Sequence, residues 1–140
     1  VTGSGLAELR KFRITSVVHT VVETPAYLAS AKDEGVDDDE RAEILRFLAD
    51  NPSAGDLIVG TGGARKVRFA GRGHGKSGGY RVITFFAGDD IPLFLLDIYG
   101  KGNRANLTKA ERNELRAVLS ELPNAWRAAR VERMKRRHGK

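Results

Sequence analysis

The sequence predicts an α+β domain with a mainly antiparallel sheet, and three observations predict it. A β-branched run opens the pattern, two helical stretches follow it, and two apolar runs joined by a Gly-Asp-Asp turn form a hairpin further on. Taken in order, residues 13–23 (RITSVVHTVVE) read as a first strand. Pro25 then stands at a helix start, and PAYLASAKDEG reads as a short helix stopped by Gly35. A second helix fits residues 37–50, with the acids of DDDE at its positive N-terminal end. Ile44, Leu45, Phe47 and Leu48 fall at helical spacing, and Asn51-Pro52 ends the run.

After a glycine turn at residues 60–63 come three strand-like runs. Residues 64–70 place Val67 and Phe69 on one face and Lys66 and Arg68 on the other. Residues 79–87 (GYRVITFFA) connect through Gly88-Asp89-Asp90 to residues 91–100 (IPLFLLDIYG), a hairpin. Strict alternation there predicts Phe94, Leu96 and Ile98 on one face, opposite Asp97, Tyr99 and Lys101. Thr108 caps a last helix through Leu122, with Glu111 at the capping-box position and Leu115, Val118, Leu119 and Leu122 as its apolar stripe. The order is β-α-α-β-β-β-α. Three parts are expected: an ill-defined N-terminal extension (1–12), a folded domain (13–122) and a basic tail (123–140), read most simply as a frayed basic helix. Trp126 is expected to pack the helix or the tail against the body.

Charge narrows the function. The chain has 140 residues and a net charge of +6, and it lacks cysteine, which excludes disulfides and thiolate metal sites. Its three histidines, His19, His74 and His138, are far apart, so no metal site is expected. No apolar run approaches membrane-spanning length, and a cytoplasmic protein is the expectation. Residues 60–81 (GTGGARKVRFAGRGHGKSGGYR) hold eight of the sixteen glycines and six basic residues, Arg65, Lys66, Arg68, Arg72, Lys76 and Arg81. No acid lies between Asp56 and Asp89. An unneutralised basic surface on glycine turns suits a polyanion that backbone must approach closely, above all nucleic acid. Residues 70–77 (AGRGHGKS) satisfy a relaxed phosphate-loop pattern, but the run that follows reads as strand rather than as the helix such a loop needs.

TGGARKVRF, GKSGGYRVI, the hairpin ending at Tyr99-Gly100-Lys101 and the NLTKAE start of the last helix together resemble the RelE/HigB toxins. These are the toxin halves of bacterial type II toxin–antitoxin pairs, in the RelE/ParE superfamily. The resemblance spans residues 21–122. It implies a RelE-like fold with the helices packed on one face of the sheet. It also implies an endoribonuclease that inhibits translation by cleaving messenger RNA, commonly in the ribosomal A site, without metal or cofactor. The chemistry is attack of a 2′-OH on the adjacent phosphate, which asks for stabilisation of the phosphorane, a base and an acid. Arg81 and Arg68 match the phosphate-stabilising arginines, Lys66 a phosphate contact or proton-transfer group, and Lys101 a basic residue closing the last strand. The tyrosine that many relatives carry after that strand has no match near residues 106–109, so Tyr99, Tyr80 or His74 is expected to substitute. Arg65, Arg72, Lys76, Tyr80 and Arg104 are expected to contact RNA. The implied partners are a cognate antitoxin, of the helix-turn-helix HigA-like kind, then messenger RNA and the ribosome, with promoter DNA reached only through the antitoxin. Two other readings stand beside this one: a ParE-like gyrase poison, and a non-catalytic RNA-binding module.

Overall fold

The computed structural model describes residues 19–71, 79–100, 102 and 106–138. The elements are β1 (Val21–Glu23), α1 (Pro25–Asp33), α2 (Asp38–Asp50), β2 (Asp56–Leu57), β3 (Ala64–Phe69), β4 (Tyr80–Phe85), β5 (Leu93–Gly100) and α3 (Lys109–His138). They form a five-stranded sheet in the order β1-β5-β4-β3-β2. Only the β1–β5 pair is parallel among these, so the sheet is mainly antiparallel as the patterning requires. The short edge strands β1 and β2 leave little unpaired backbone for another chain to join. β2 has no counterpart in the predicted order. Of the predicted first strand, residues 13–18 lie outside the described residues.

The helix starts follow local chemistry. Thr24 caps α1 by accepting from Tyr27 N, with Pro25 at the first helical position, where its missing N–H costs nothing. Asp37 caps α2 in a reciprocal box with Glu40: Glu40 N donates to Asp37 Oδ1 (2.8 Å) and Asp37 N to Glu40 Oε1 (3.1 Å). Thr108 and Glu111 repeat the device at α3, at 2.9 and 3.1 Å.

The helices were expected on one face, but they divide between two. Tyr27, Ala31, Ile44 and Leu48 of α1 and α2 pack with Val67, Tyr80, Val82, Leu93, Leu95 and Ile98. On the opposite face Leu119 of α3 packs with Ala64, Ile83, Phe85, Phe94 and Tyr99, joined at the margin by Leu115, Leu122 and Trp126. A sheet with apolar side chains on both faces needs cover on both, which one layer of helices cannot supply.

Two further expectations fail for identifiable reasons. Strict alternation along β5 breaks at a register shift between Ile83/Thr84 of β4 and their partners: Ile83 pairs with Asp97, but Thr84 pairs with Leu95. The extra residue, Leu96, forms a bulge. Ile98 therefore faces α1 and α2, while Phe94, Leu96 and Tyr99 share the α3 face. The last helix also continues past Leu122 to His138, with Pro123 inside it. Proline removes one helical hydrogen bond, but contacts on either side of it hold the helix down. The Trp126 ring meets Phe94 edge-on at 5.7 Å, and Arg127 forms a bidentate pair with Asp90 at 2.7 and 3.1 Å. Trp126 thus packs the helix on the body, as expected. Among the described residues no helix is long and apolar enough to cross a membrane.

Candidate nucleic-acid interface

The register of β3, β4 and β5 builds the candidate site. Arg68 pairs with Arg81, and Arg81 pairs with Tyr99, so these three form a row across the sheet. Val67, Tyr80, Val82 and Ile98 point into the α1–α2 core, which turns Arg68, Arg81 and Tyr99 to the other face. The neighbouring row on that face is Lys66, Ile83 and Asp97. Beyond it Ala64, Phe85 and Phe94 are apolar and lie under α3. One face therefore grades from a covered apolar end to an open cationic end.

Each side chain is positioned differently. Arg68 is exposed, and Lys66, Arg81 and Asp97 are half-buried. Lys66 Nζ donates to Asn106 Oδ1 at 3.1 Å, linking the strand to the segment before α3. Arg81 Nη1 reaches its neighbour's carbonyl, Tyr80 O, at 3.4 Å. Asp97 Oδ1 accepts from Ile98 N at 2.9 Å. Tyr99 is only 3% exposed and its hydroxyl oxygen is buried, so it packs beneath the row and offers no open stacking surface. The start of β4 is fixed by Gly79, whose φ of +63° suits glycine, and a Cβ there would collide with Phe69 O. That close approach brings the Arg81 end of β4 against the Arg68 end of β3.

Arg68 and Arg81 stand directly opposite on paired strands, where like charges repel at a cost unless something neutralises them. An anion between them removes that cost. Two guanidiniums present forked donors suited to phosphate oxygens, with Lys66 a third cation one row away.

Two residues expected at this interface belong elsewhere. Tyr80 is 2% exposed and sits in the core beneath α1 and α2, on the opposite face. Burial first, then the charges of Glu40, Glu34 and Asp37, raise its pKa above the ordinary phenol value. It is a packing residue of that core and does not face the cationic row. Arg65 alternates onto the same opposite side and donates to Gly55 O at 2.9 Å, beside the edge strand. Arg72, His74, Lys76, Lys101 and Arg104 lie outside the described residues. β4 follows residues 72–78 where a phosphate loop needs a helix. Asn106 is the contact that the residue patterns missed, because nothing in NLTKAE links a loop amide to a lysine forty positions earlier.

Comparison with known proteins identifies a family. Residues 20–138 match the family described as the RelE toxin of the RelE/RelB toxin–antitoxin system. A solved structure of the Escherichia coli toxin RelE, an arginine double mutant in the free state, is similar at 11% sequence identity. The match covers 61% of this chain and 86% of that one, with a TM-score of 0.45.

Proposed function

This chain belongs to the RelE toxin family of toxin–antitoxin systems, and from that premise we propose that it inhibits translation by cutting messenger RNA. The observation that carries the reading is the cationic row: Arg68 and Arg81 face each other on adjacent strands, with Tyr99 beside Arg81 and Lys66 in the next row. In the proposed reaction the 2′-oxygen of one nucleotide bonds to the adjacent phosphorus as the P–O5′ bond breaks. The 2′-hydroxyl loses its proton and the departing 5′-oxygen gains one, leaving a 2′,3′-cyclic phosphate and a 5′-hydroxyl end. Arg81 and Arg68 stabilise the extra negative charge of the phosphorane, which a fixed pair of cations does better for the transition state than for the ground state. Lys66 contacts phosphate or moves a proton. Tyr99 stays a proposed proton-transfer residue, and its buried hydroxyl would have to be uncovered to act. His74 and Lys101 stay as proposed participants from the sequence.

Membership of the family implies an antitoxin partner. We assign it to the helix-turn-helix HigA-like kind, and propose the ribosome as the place of cleavage.

Inducible expression of the wild type and of Arg81→Ala, with 5′-end mapping of cellular messages, tests this reading. New in-frame cuts in translated regions, accompanied by growth arrest and absent from the variant, are the expected result. Arrest with intact messages would move the target to gyrase or another factor and remove the catalytic roles given above.

A further inference from the structure

The first half of α3 sorts its charges to two sides. On one side Ile83, Leu96, Leu107, Leu115 and Val118 line a groove of about 340 Å³, whose charged residues among those described are the carboxylates Asp97, Glu111 and Glu114. On the other, α3 and the Gly60–Gly63 turn enclose a groove of about 460 Å³ lined by Ile58, Val59, Gly60, Lys109, Arg112, Asn113 and Arg116. Among the described residues three cations line this second groove, and no carboxylate does. Lys109, Arg112 and Arg116 fall at i, i+3 and i+7, one face of the helix.

The opposite wall is a built turn. Ile58 N donates to Ala64 O (2.8 Å), and the Thr61 hydroxyl, fully buried, donates to Ile58 O (2.7 Å) and accepts from Ala64 N (3.0 Å). Gly60 and Gly62 hold φ values of +86° and +79°, which suit glycine. A Cβ at Gly60 would stand 3.8 Å from Arg112 Nε, and one at Gly62 would stand 3.8 Å from Arg116 Cγ. Backbone without side chains thus lies against the arginine stems and keeps the groove open to a ligand's own backbone. Arg112 is anchored by Nη1 to Leu107 O at 3.0 Å, while Lys109 and Arg116 are exposed.

Both walls lead to the candidate site. The turn runs directly into β3, which carries Lys66 and Arg68, and Lys66 holds Asn106 two residues before the Thr108 cap of α3. We propose that this groove is a second phosphate-binding subsite that takes the RNA backbone beyond the cleaved linkage. It sets the strand's path along the cationic flank of α3 and away from the acidic one. The inference rests on the RNA reading above. The same phosphodiester chemistry can come from the message itself or from ribosomal RNA.

The test is binding of the full chain to fluorescent single-stranded oligoribonucleotides, with 2′-O-methyl groups blocking cleavage. One is a dinucleotide-scale RNA and the other is about ten nucleotides long. Lys109→Gln/Arg116→Gln should weaken the longer RNA about ten-fold at low salt and lower the salt slope by about 1.4, two phosphate contacts at roughly 0.7 each. The short RNA should bind unchanged, and Glu114→Gln on the other flank should bind the long RNA no more weakly than wild type. Loss confined to co-sedimentation with ribosomes would assign the groove to ribosomal RNA and overturn its place on the cleaved strand. Unchanged affinity and slope on every RNA, while Arg81→Ala still abolishes message cleavage, would overturn the groove and leave the proposed function intact. Weaker capture of the antitoxin with unchanged RNA binding would overturn it too, assigning the groove to an acidic protein segment. Wild type that binds no RNA in any form would sink both readings.

Discussion

The sheet face beneath α3 has two ends, built from the same three strands on either side of the bulge at Leu96. At one end Ala64, Phe85 and Phe94 lie under Leu119 and Trp126, and shape and burial decide everything. Two rows away Arg68, Arg81 and Tyr99 occupy equivalent positions, and two like charges confront each other at a cost to stability. The contrast separates what holds the fold from what it is for. A fold selected for stability alone would continue the apolar row and extend the helix's cover over it.

Truncation at the apolar end should produce the largest effect. Phe94 is 4% exposed and meets Trp126 edge-on, so Phe94→Ala should cost about 3–5 kcal/mol in denaturant unfolding. Cleavage per folded molecule should be little changed below the melting transition. A variant that keeps full stability would break the contrast, because the apolar end would then not be what fastens α3.

Arg81→Ala should show the reverse pattern. Loss of one phosphorane-stabilising group typically costs about 10²–10³ in turnover. The same variant should melt within roughly 0.5 kcal/mol of wild type, since Arg81 is half-buried at the open end of the sheet. Unimpaired cleavage would remove the row from the chemistry.

These two variants also show which parts of the molecule were legible beforehand. Helix starts were, because their signals are local: Pro25, the DDDE run and Thr108 with Glu111 each declare themselves within four residues. The sidedness of β3 was legible too, since Lys66 and Arg68 alternate with Val67 and Phe69. The bulge at Leu96 was not, because alternation assumes an unbroken register and carries no sign of an inserted residue. Pro123 misled for a related reason. Its local rule stops a helix, whereas Trp126 and Arg127 find partners on β5 and the preceding turn that only the folded chain supplies. Tyr80 and Arg81 are adjacent in GYR, yet the pleat sends one into the core and the other to the open face. Residue types could nominate both, and only the sheet's two-sided burial separates them. The same holds for α3: Leu115, Leu119 and Leu122 of its apolar stripe were legible, but Val118 is exposed and the face of the sheet the helix would cover was not legible.

Arg68→Ala sharpens the comparison further, with a smaller effect of opposite sign. Removing one of two directly opposed like charges should raise stability by about 0.2–1 kcal/mol. Cleavage should fall, because the anion then meets one guanidinium instead of two. Thermal melts at low and high salt check the origin of the gain, which should shrink as salt screens the repulsion. A destabilised Arg68→Ala would mean that the pair is not repulsive in the folded chain, and the functional argument drawn from its cost would fail.

The smallest expected effect lies at the fastened end, in the pair that holds α3 beyond Pro123. The Arg127 guanidinium, hydrogen-bonded to Asp90, holds that carboxyl below its ordinary range, and Asp90 in turn raises Arg127. A carboxyl whose pKa is depressed by folding contributes stability that is fully present above its unfolded value, near ~3.9. The contribution disappears as pH falls through the lower folded value. Stability measured against pH should therefore fall slightly more steeply at the acid end for wild type than for Asp90→Asn, with the two curves converging once Asp90 is protonated in both states. Both side chains are substantially exposed, so the separation at neutral pH should be small and should narrow with added salt. A large separation would mean that the second half of α3 depends on this ion pair more than on Trp126. Parallel curves across the acid range would show that the pair does not form in solution and that the apolar contact alone carries the helix past its proline.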